Sequence, residues 1–382
     1  MIPYGRQDIT QEDINSVINT LKSDFLTQGP VVPLFEKKLC DVTQAKYSIA
    51  VNSCTSALHL ACLALNLGPG DILWTSPITF VASVNCALYC GAKVDFVDID
   101  PSTALMSIES LKNKLIKAKK EGNLPKIIIP VHFAGQPCDM KEIYELGQEY
   151  GFKIIEDAAH AIGAKYERDA VGNCRYSDIT VFSFHPVKVI TTGEGGACLT
   201  NDANLANLIM LLRSHGITRN PSEMEQPPID SWYYEQIALG FNYRMTDIQA
   251  ALGLSQLDRL DEYILRRSEI ALWYDKNITD ISIVEPLLRK EDRTSSIHLY
   301  VLRVRNLEGL RDKLYSYLRG EGVGVNIHYI PAYRQPYLNS NIRLSGAEEH
   351  YRSTITLPIF PTISKKELIY VINQISRFSI HE

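Results

Sequence analysis

Lys153-Ile154-Ile155-Glu156-Asp157 and Ile179-Thr180-Val181-Phe182-Ser183-Phe184-His185-Pro186-Val187-Lys188 are two β-rich runs, each of which leads into a side chain with chemistry to offer. They belong to a region, residues 46–200, in which short β-rich runs alternate with stretches of helical periodicity, the pattern of a mainly parallel sheet wrapped by helices. The strands expected are 47–51, 72–75, 93–97, 126–131, 153–156, 179–184 and 197–200. Residues 56–67, 80–89, 107–119 and 140–150 carry apolar side chains at helical spacing and read as the crossovers. The fold class is therefore α/β: a large domain with a seven-stranded, mainly parallel sheet between helices, followed by a small C-terminal α+β domain.

Beyond residue 200 a helix is expected over 202–213. A polar, proline-bearing surface loop without regular structure follows over 218–231. From Thr246, a good N-cap, one amphipathic helix runs to about Asn277, and the domain boundary is drawn at its start. That gives residues 1–245 as the large domain with an N-terminal arm and 246–382 as the small one. Within the latter, strands are expected over 297–304 and 324–330, and helices from Leu307 to Arg319 and from Lys365 to Phe378.

The chain of 382 residues carries a net charge of -5, which gives no reason to expect nucleic acid or an anionic membrane as partner. The first eight residues hold Arg6 and Asp8 where a signal peptide needs an apolar core, and no apolar run is of membrane-spanning length, so a cytoplasmic location is expected. All eight cysteines fall between Cys40 and Cys198 without a Cys-x-x-Cys pair, as for buried thiols in a reduced compartment. Cys86 and Cys90 share a helical face but lack a histidine at ligand spacing, and no metal is expected. Gly-x-Gly-x-x-Gly, the nucleoside triphosphate lysine loop and His-Glu-x-x-His are absent from the sequence.

Open parallel sheets bind their ligands at the carboxyl ends of the strands, and Asp157 and Lys188 both fall at that rim. Alone, Asp157 is a helix cap before Ala158, and Lys188 a solvated charge. Together they are the pair that a pyridoxal phosphate enzyme requires: an amine to form an imine with the cofactor aldehyde, and a carboxylate to hold a proton on the pyridine nitrogen. Solvent exclusion beside an apolar strand would free the amine at neutral pH. Asn52-Ser53-Cys54-Thr55-Ser56-Ala57, where a strand gives way to a helix, serves equally as an N-cap or as a nest for a phosphate dianion. Cys54 there is a small spacer rather than a nucleophile. Phe80 either stacks on a pyridine ring or packs in the core. His160 and His185 either meet cofactor or substrate oxygens or are satisfied by backbone.

The blocks Glu156-Asp157-Ala158-Ala159-His160-Ala161, Ser177 to Lys188 and Gly193-Glu194-Gly195-Gly196-Ala197 resemble those of the sugar-nucleotide aminotransferases, fold-type I pyridoxal phosphate enzymes related to aspartate aminotransferase. The resemblance covers nearly the whole chain. It implies Lys188 and Asp157 as catalytic residues. Cys54, Thr55, Phe80, His160 and Ser183 would be further cofactor contacts, with Asn242 reaching the phosphate from the neighbouring subunit of a homodimer. The openings Ile2-Pro3-Tyr4-Gly5-Arg6-Gln7 and Leu26-Thr27-Gln28-Gly29-Pro30 are similar to the pseudaminic-acid branch, which aminates C4 of a UDP-linked 4-keto-6-deoxy-N-acetylhexosamine. By that similarity Tyr4, Asp24, Phe25, Leu26, Thr27, His185, His328 and Tyr329 would contact the nucleotide sugar. L-Glutamate would be the donor and pyridoxamine phosphate the form of the cofactor between half-reactions. Val189 and Met106-Ser107 depart from the family pattern and bear on the exact substrate. Aminotransfer to another keto sugar (GDP-perosamine or UDP-4-amino-arabinose type), a dehydratase, whose lysine is replaced by histidine, and a non-catalytic regulator are the rival readings. Arg6, Arg219 and Arg244 are all open as partners of the glutamate carboxylate.

Overall fold

The computed structural model describes residues 1–305 and 309–381. Seven strands form the main sheet: β1 (Tyr47–Val51), β2 (Ile72–Thr75), β3 (Lys93–Phe96), β4 (Ile127–Ile129), β5 (Lys153–Asp157), β6 (Ile179–Ser183) and β7 (Gly196–Thr200). They lie side by side in the order β1-β7-β6-β5-β4-β2-β3. All neighbours pair in parallel except β7, which runs against both β1 and β6. The expected seven-stranded, mainly parallel α/β sheet is what forms. β4 is shorter than the expected 126–131 because Pro130 has no N–H to give the ladder.

Alternation along the strands feeds two cores. Leu73, Ile127, Ile129 and Ile155 pack on one face with helices α3 (Cys54–Ala64), α4 (Ala82–Tyr89) and α7 (Ala203–Arg213). Trp74, Ile128 and Ile154 face the other way, toward α5 (Ile108–Glu121) and α6 (Met140–Tyr150). Burial on both faces is why these strands read as continuous apolar runs.

Two N-terminal helices, α1 (Gln11–Leu21) and α2 (Val31–Thr43), had no counterpart in the sequence reading. They are docked by α8 (Asp247–Leu257). Asp247, fully buried, accepts from the backbone N–H of Gly29 at 2.6 Å and of Val32 at 2.8 Å, supplying α2 with the cap that Pro30 lacks. Asp13 of α1, also buried, is held by Arg259 at 2.7 Å, Ser255 at 2.7 Å and Gln256 at 2.8 Å.

The single helix expected over 246–277 is two helices, α8 and α9 (Leu260–Ile278), with a break at Asp258 and Arg259. Their apolar stripes run on through the break, which the periodicity could not register; the turn aims the Arg259 guanidinium at Asp13 and Thr10. Ala250, Leu257, Leu260 and Tyr263 pack with the N-terminal helices, whereas the core around the C-terminal sheet begins at Ile270. A division at 245/246 therefore falls at the start of a helix packed on the large-sheet side.

The C-terminal part holds an antiparallel sheet of β8 (Val284–Pro286), β9 (Tyr300–Val304) and β10 (Thr354–Leu357). α9, α10 (Leu310–Gly320) and α12 (Lys365–His381) cover it, and α11 (Ser345–Ser353) leads into β10. The strand expected from residue 297 starts at Tyr300, because Ser296 and His298 instead donate their N–H groups to Gly135 and Ala134. The strand expected over 324–330 does not form: Asn326 makes one isolated bridge to Thr356, and the chain then turns away. The expected helix start at Leu307 lies outside the described residues. In the expected loop, Pro221–Glu223 forms one 3-10 turn and Ile217–Thr218 pairs with Glu235–Gln236. Ile2 is stitched to this C-terminal part by hydrogen bonds with Gly322 (2.9 Å) and Gly324 (2.7 Å), and the Tyr4 carbonyl accepts from Ile359 at 3.0 Å. Among the described residues, no helix is long and apolar enough to cross a membrane.

Candidate active site

A cavity of about 480 Å³ opens at the carboxyl ends of the parallel strands, between the main sheet and the C-terminal part. Tyr4, Cys54, Thr55, Phe80, Asp157, His160, Ser183, His185, Lys188, His328 and Tyr329, all singled out from sequence, line it together. Topology explains the convergence: β1, β2, β5 and β6 point the same way, so the segments that leave their ends share one rim.

Asp157 ends β5 with its backbone clamped, its N–H donating to Pro130 and its carbonyl accepting from His132, each at 3.0 Å. Its carboxylate accepts from the Ala159 N–H at 3.1 Å and from the Ser83 hydroxyl at 2.6 Å. On the opposite face of the same strand, Glu156 meets His132 at 2.8 Å. Burial works against the Glu156 charge, but bonds from His132, Ser177 and Thr180 hold its carboxyl below the usual range.

Lys188 is half-buried in a turn closed by its N–H to the His185 carbonyl at 2.9 Å. Burial pulls its amine down to about 8, against the opposing pull of Cys54 and Asp157. A free amine is thus present in quantity near neutral pH. Burial also pushes the Cys54 thiol well up, so it stays protonated.

The first turn of α3 is capped by Ser53, whose hydroxyl accepts from the Ser56 N–H at 3.1 Å, and helical geometry leaves the neighbouring N–H groups free for an anion. β7 presses against this turn: a Cβ on Gly196 would come within 2.6 Å of the Cys54 nitrogen. Only glycine permits that approach. Phe80 is 61% exposed, so its ring has a face open to the cavity rather than packing in the core.

Three imidazoles line the opposite wall. His160 pairs through Nε2 with the Tyr329 hydroxyl at 3.2 Å, and its ring lies 4.3 Å from that of His298. The Nδ1 atoms of His160 and His298 are buried without a partner among the described residues. Burial first, and then the Lys188 charge, lowers His160 well below its ordinary value and takes His328 down to about 3. His298 is lowered too, by burial and then by His160 and Lys188. All three are neutral at physiological pH.

Five expected residues are not in this cavity. Asp24, Phe25, Leu26 and Thr27 lie at the base of α8, where Thr27 bridges Thr246 and the Leu26 carbonyl accepts from Asp247, with Phe25 and Leu26 exposed. Asn242 bridges Ser214, and its carbonyl accepts from Asn52 at 3.4 Å. Arg6, Arg219 and Arg244 are likewise outside the lining. Conversely, sequence reasoning missed Thr79, Ser83, His298 and Asn326, which do line it. Thr79 and Ser83 had a signal, their i,i+4 spacing around Phe80; His298 and Asn326 had none.

The residues fit pyridoxal phosphate: a buried carboxylate at a strand end, an amine with depressed basicity, a helix N-terminus against which glycine makes room, and an open aromatic face. Residues 7–376 match the model of the DegT/DnrJ/EryC1/StrS aminotransferase family. The chain is 37% identical to a UDP-4-amino-4,6-dideoxy-N-acetyl-beta-L-altrosamine transaminase of Campylobacter jejuni, over 97% of this chain and 96% of that one. It is 34% identical to a UDP-4-amino-4-deoxy-L-arabinose–oxoglutarate aminotransferase of Shewanella sediminis, over 98% and 97%. Among solved structures, Helicobacter pylori PseC, an aminotransferase involved in the biosynthesis of pseudoaminic acid, matches with a TM-score of 0.89 at 30% identity over 100% of both chains.

Proposed function

Since the chain belongs to the DegT/DnrJ/EryC1/StrS aminotransferase family, pyridoxal phosphate-dependent enzymes that aminate sugar nucleotides, we propose that it moves the amino group of L-glutamate to the C4 keto group of a UDP-linked 4-keto-6-deoxy-N-acetylhexosamine. The observation that carries the chemistry is the meeting of Lys188 and Asp157 in one cavity whose three buried histidines are held neutral. The choice of substrate is supported by the 37% identity to the altrosamine transaminase and by the openings Ile2 to Gln7 and Leu26 to Pro30.

When bound, the cofactor supplies a conjugated ring that accepts electrons from the carbon bearing the transferred amine. Asp157, at the end of β5, would hold a proton at the pyridine nitrogen. Lys188 would hold the cofactor through its amine and, once freed by the incoming amine, would carry a proton off the glutamate Cα and later deliver one to the sugar C4. The first turn of α3, with Thr55 and Ser183, would hold the phosphate. Phe80 would cover one face of the ring and neutral His160 would stand beside it, excluding water without adding a competing charge. Tyr4, His185, His328 and Tyr329 line the outer space where a sugar nucleotide fits. Asp24 to Thr27 and Asn242, absent from their own chain's cavity, belong in this reading to the site of a second copy, with exposed Phe25 and Leu26 beside the shared opening.

The test is purified protein with glutamate and a panel of UDP-linked 4-keto sugars, scored by 2-oxoglutarate release. Turnover of the N-acetylated 6-deoxy sugar above the 4-keto pentose, abolished in Lys188→Ala, is the expected result. Preference for the pentose overturns the substrate, and undiminished turnover by the variant overturns the role of Lys188.

A further inference from the structure

The geometry points to Ser83, backed by Thr79, as a positioning residue whose hydroxyl keeps Asp157 in the ionised form that leaves the ring proton on the cofactor nitrogen. The inference rests on the reading of Asp157 given above and concerns two residues to which that reading gave no part.

Ser83 Oγ lies 2.6 Å from Asp157 Oδ2, the separation of a charge-assisted O–H···O⁻ bond. An ionised carboxylate only accepts, so Ser83 donates its single proton to it. The Ser83 oxygen is then an acceptor, and Thr79 Oγ1, 2.8 Å away, donates into it. The direction of the whole chain, Thr79 to Ser83 to Asp157, is set by the charge at its end. All three groups are dry: Thr79 is 3% exposed, Ser83 1% and Asp157 5%. In that setting water cannot replace a lost donor, and each hydrogen bond to the charge counts for more than it would at the surface.

A serine in the first turn of a helix ordinarily spends its hydroxyl on local backbone. Ser83 instead reaches across to a strand 74 residues away. Thr79, Phe80 and Ser83 sit on one short segment, so the segment that presents the open aromatic ring to the cavity also steadies the acid beneath it. With the hydroxyl removed, the carboxylate keeps only the Ala159 N–H on its other oxygen. A proton shared between the carboxylate and a pyridine nitrogen would then shift toward oxygen, and the ring would become a poorer electron acceptor.

The test compares the wild type with Ser83→Ala, Ser83→Thr and Thr79→Val, each loaded with pyridoxal phosphate labelled with ¹⁵N in the ring. The ¹⁵N chemical shift reports where the proton sits; kcat, KM and melting temperature are measured alongside. We expect a protonated ring in the wild type and a shift toward the unprotonated value in Ser83→Ala. That variant should also lose about tenfold in kcat, as for about 1.4 kcal/mol, with KM for the sugar nearly unchanged. Ser83→Thr should restore both readouts, and Thr79→Val should fall between. If Ser83→Ala does not take up cofactor, Thr79→Val against the wild type carries the same comparison. A protonated ring in the wild type and in both hydroxyl-deleted variants overturns the proposal alone, whatever happens to melting temperature. An unprotonated ring in the wild type overturns the assignment of Asp157 and the proposal with it.

Discussion

Uptake of pyridoxal phosphate by the cofactor-free protein should follow the titration of Lys188. Burial brings this amine to about 8 from 10.5, even with Cys54 and Asp157 pulling the other way. At pH 7 an ordinary lysine is free base in roughly one molecule in 3000, whereas one titrating near 8 is free in roughly one in eleven, a gain of about 300-fold in reactive amine. Only the free base attacks an aldehyde. Mixing cofactor-free protein with pyridoxal phosphate in a stopped-flow spectrophotometer from about pH 6 to about pH 10, with borohydride trapping to confirm Lys188 as the labelled residue, should give a rate that climbs tenfold per pH unit and levels off near pH 8. Asp157→Asn removes one of the two groups that hold the amine up, so its break should come at lower pH. A rate that keeps climbing with unit slope to pH 10 would refute the account, since the cavity would then exert no desolvation on the amine.

Gly196→Ala forces a Cβ to within 2.6 Å of the Cys54 nitrogen and the Ser53 carbonyl carbon, so the first turn of α3 must shift; cofactor affinity by equilibrium dialysis should fall at least about tenfold, and an unchanged value would remove α3 as the phosphate site. Asp13→Ala strands the Arg259 guanidinium that docks α1 on α8, and urea unfolding should show a loss of about 3 kcal/mol. His160, His298, His328 and His350 are all lowered, chiefly by burial, the last to about 4. The unfolded chain therefore binds more protons than the folded one once the pH drops below the ordinary histidine value of 6.5. Stability is full above that value and should be lost on acidification by up to about 1.4 kcal/mol per pH unit for each histidine between about pH 6 and about pH 5. A flat denaturant midpoint across that interval would contradict the burial of the cluster.

The main sheet was legible because its strands are dry on both faces and punctuated by turn residues, so Ile127–Ile129 and Ile179–Ser183 announce themselves as short apolar runs. The residues at their ends were legible for the same reason: once the strands are placed, the rim follows. What escaped was decided by distant partners. α1 has a local capping signal in Thr10 and Asp13, but its face mixes Ile14 and Ile18, exposed, with buried Asp13, an inversion that makes sense only beside Arg259. The break between α8 and α9 left no mark, since Leu257 and Leu260 continue one stripe. Ser296 and His298 interrupt an apolar β pattern to serve the turn at 133–135, a tertiary demand with no local trace.

The stitching of Ile2 and Tyr4 to Val323, Gly324 and Ile359 has a mechanical corollary. The arm through residues 5–10 is the first of several straps between the two halves, the α8–α9 elbow and the pairing of Arg293–Thr294 with Lys165–Tyr166 being others. Any rocking of one half on the other must carry Tyr4 and His328, whose rings stand 5.7 Å apart, as a single rigid jaw. Cutting the first strap, by proteolysis near residue 7, should loosen that jaw while leaving the strand-end carboxylate and amine where they are.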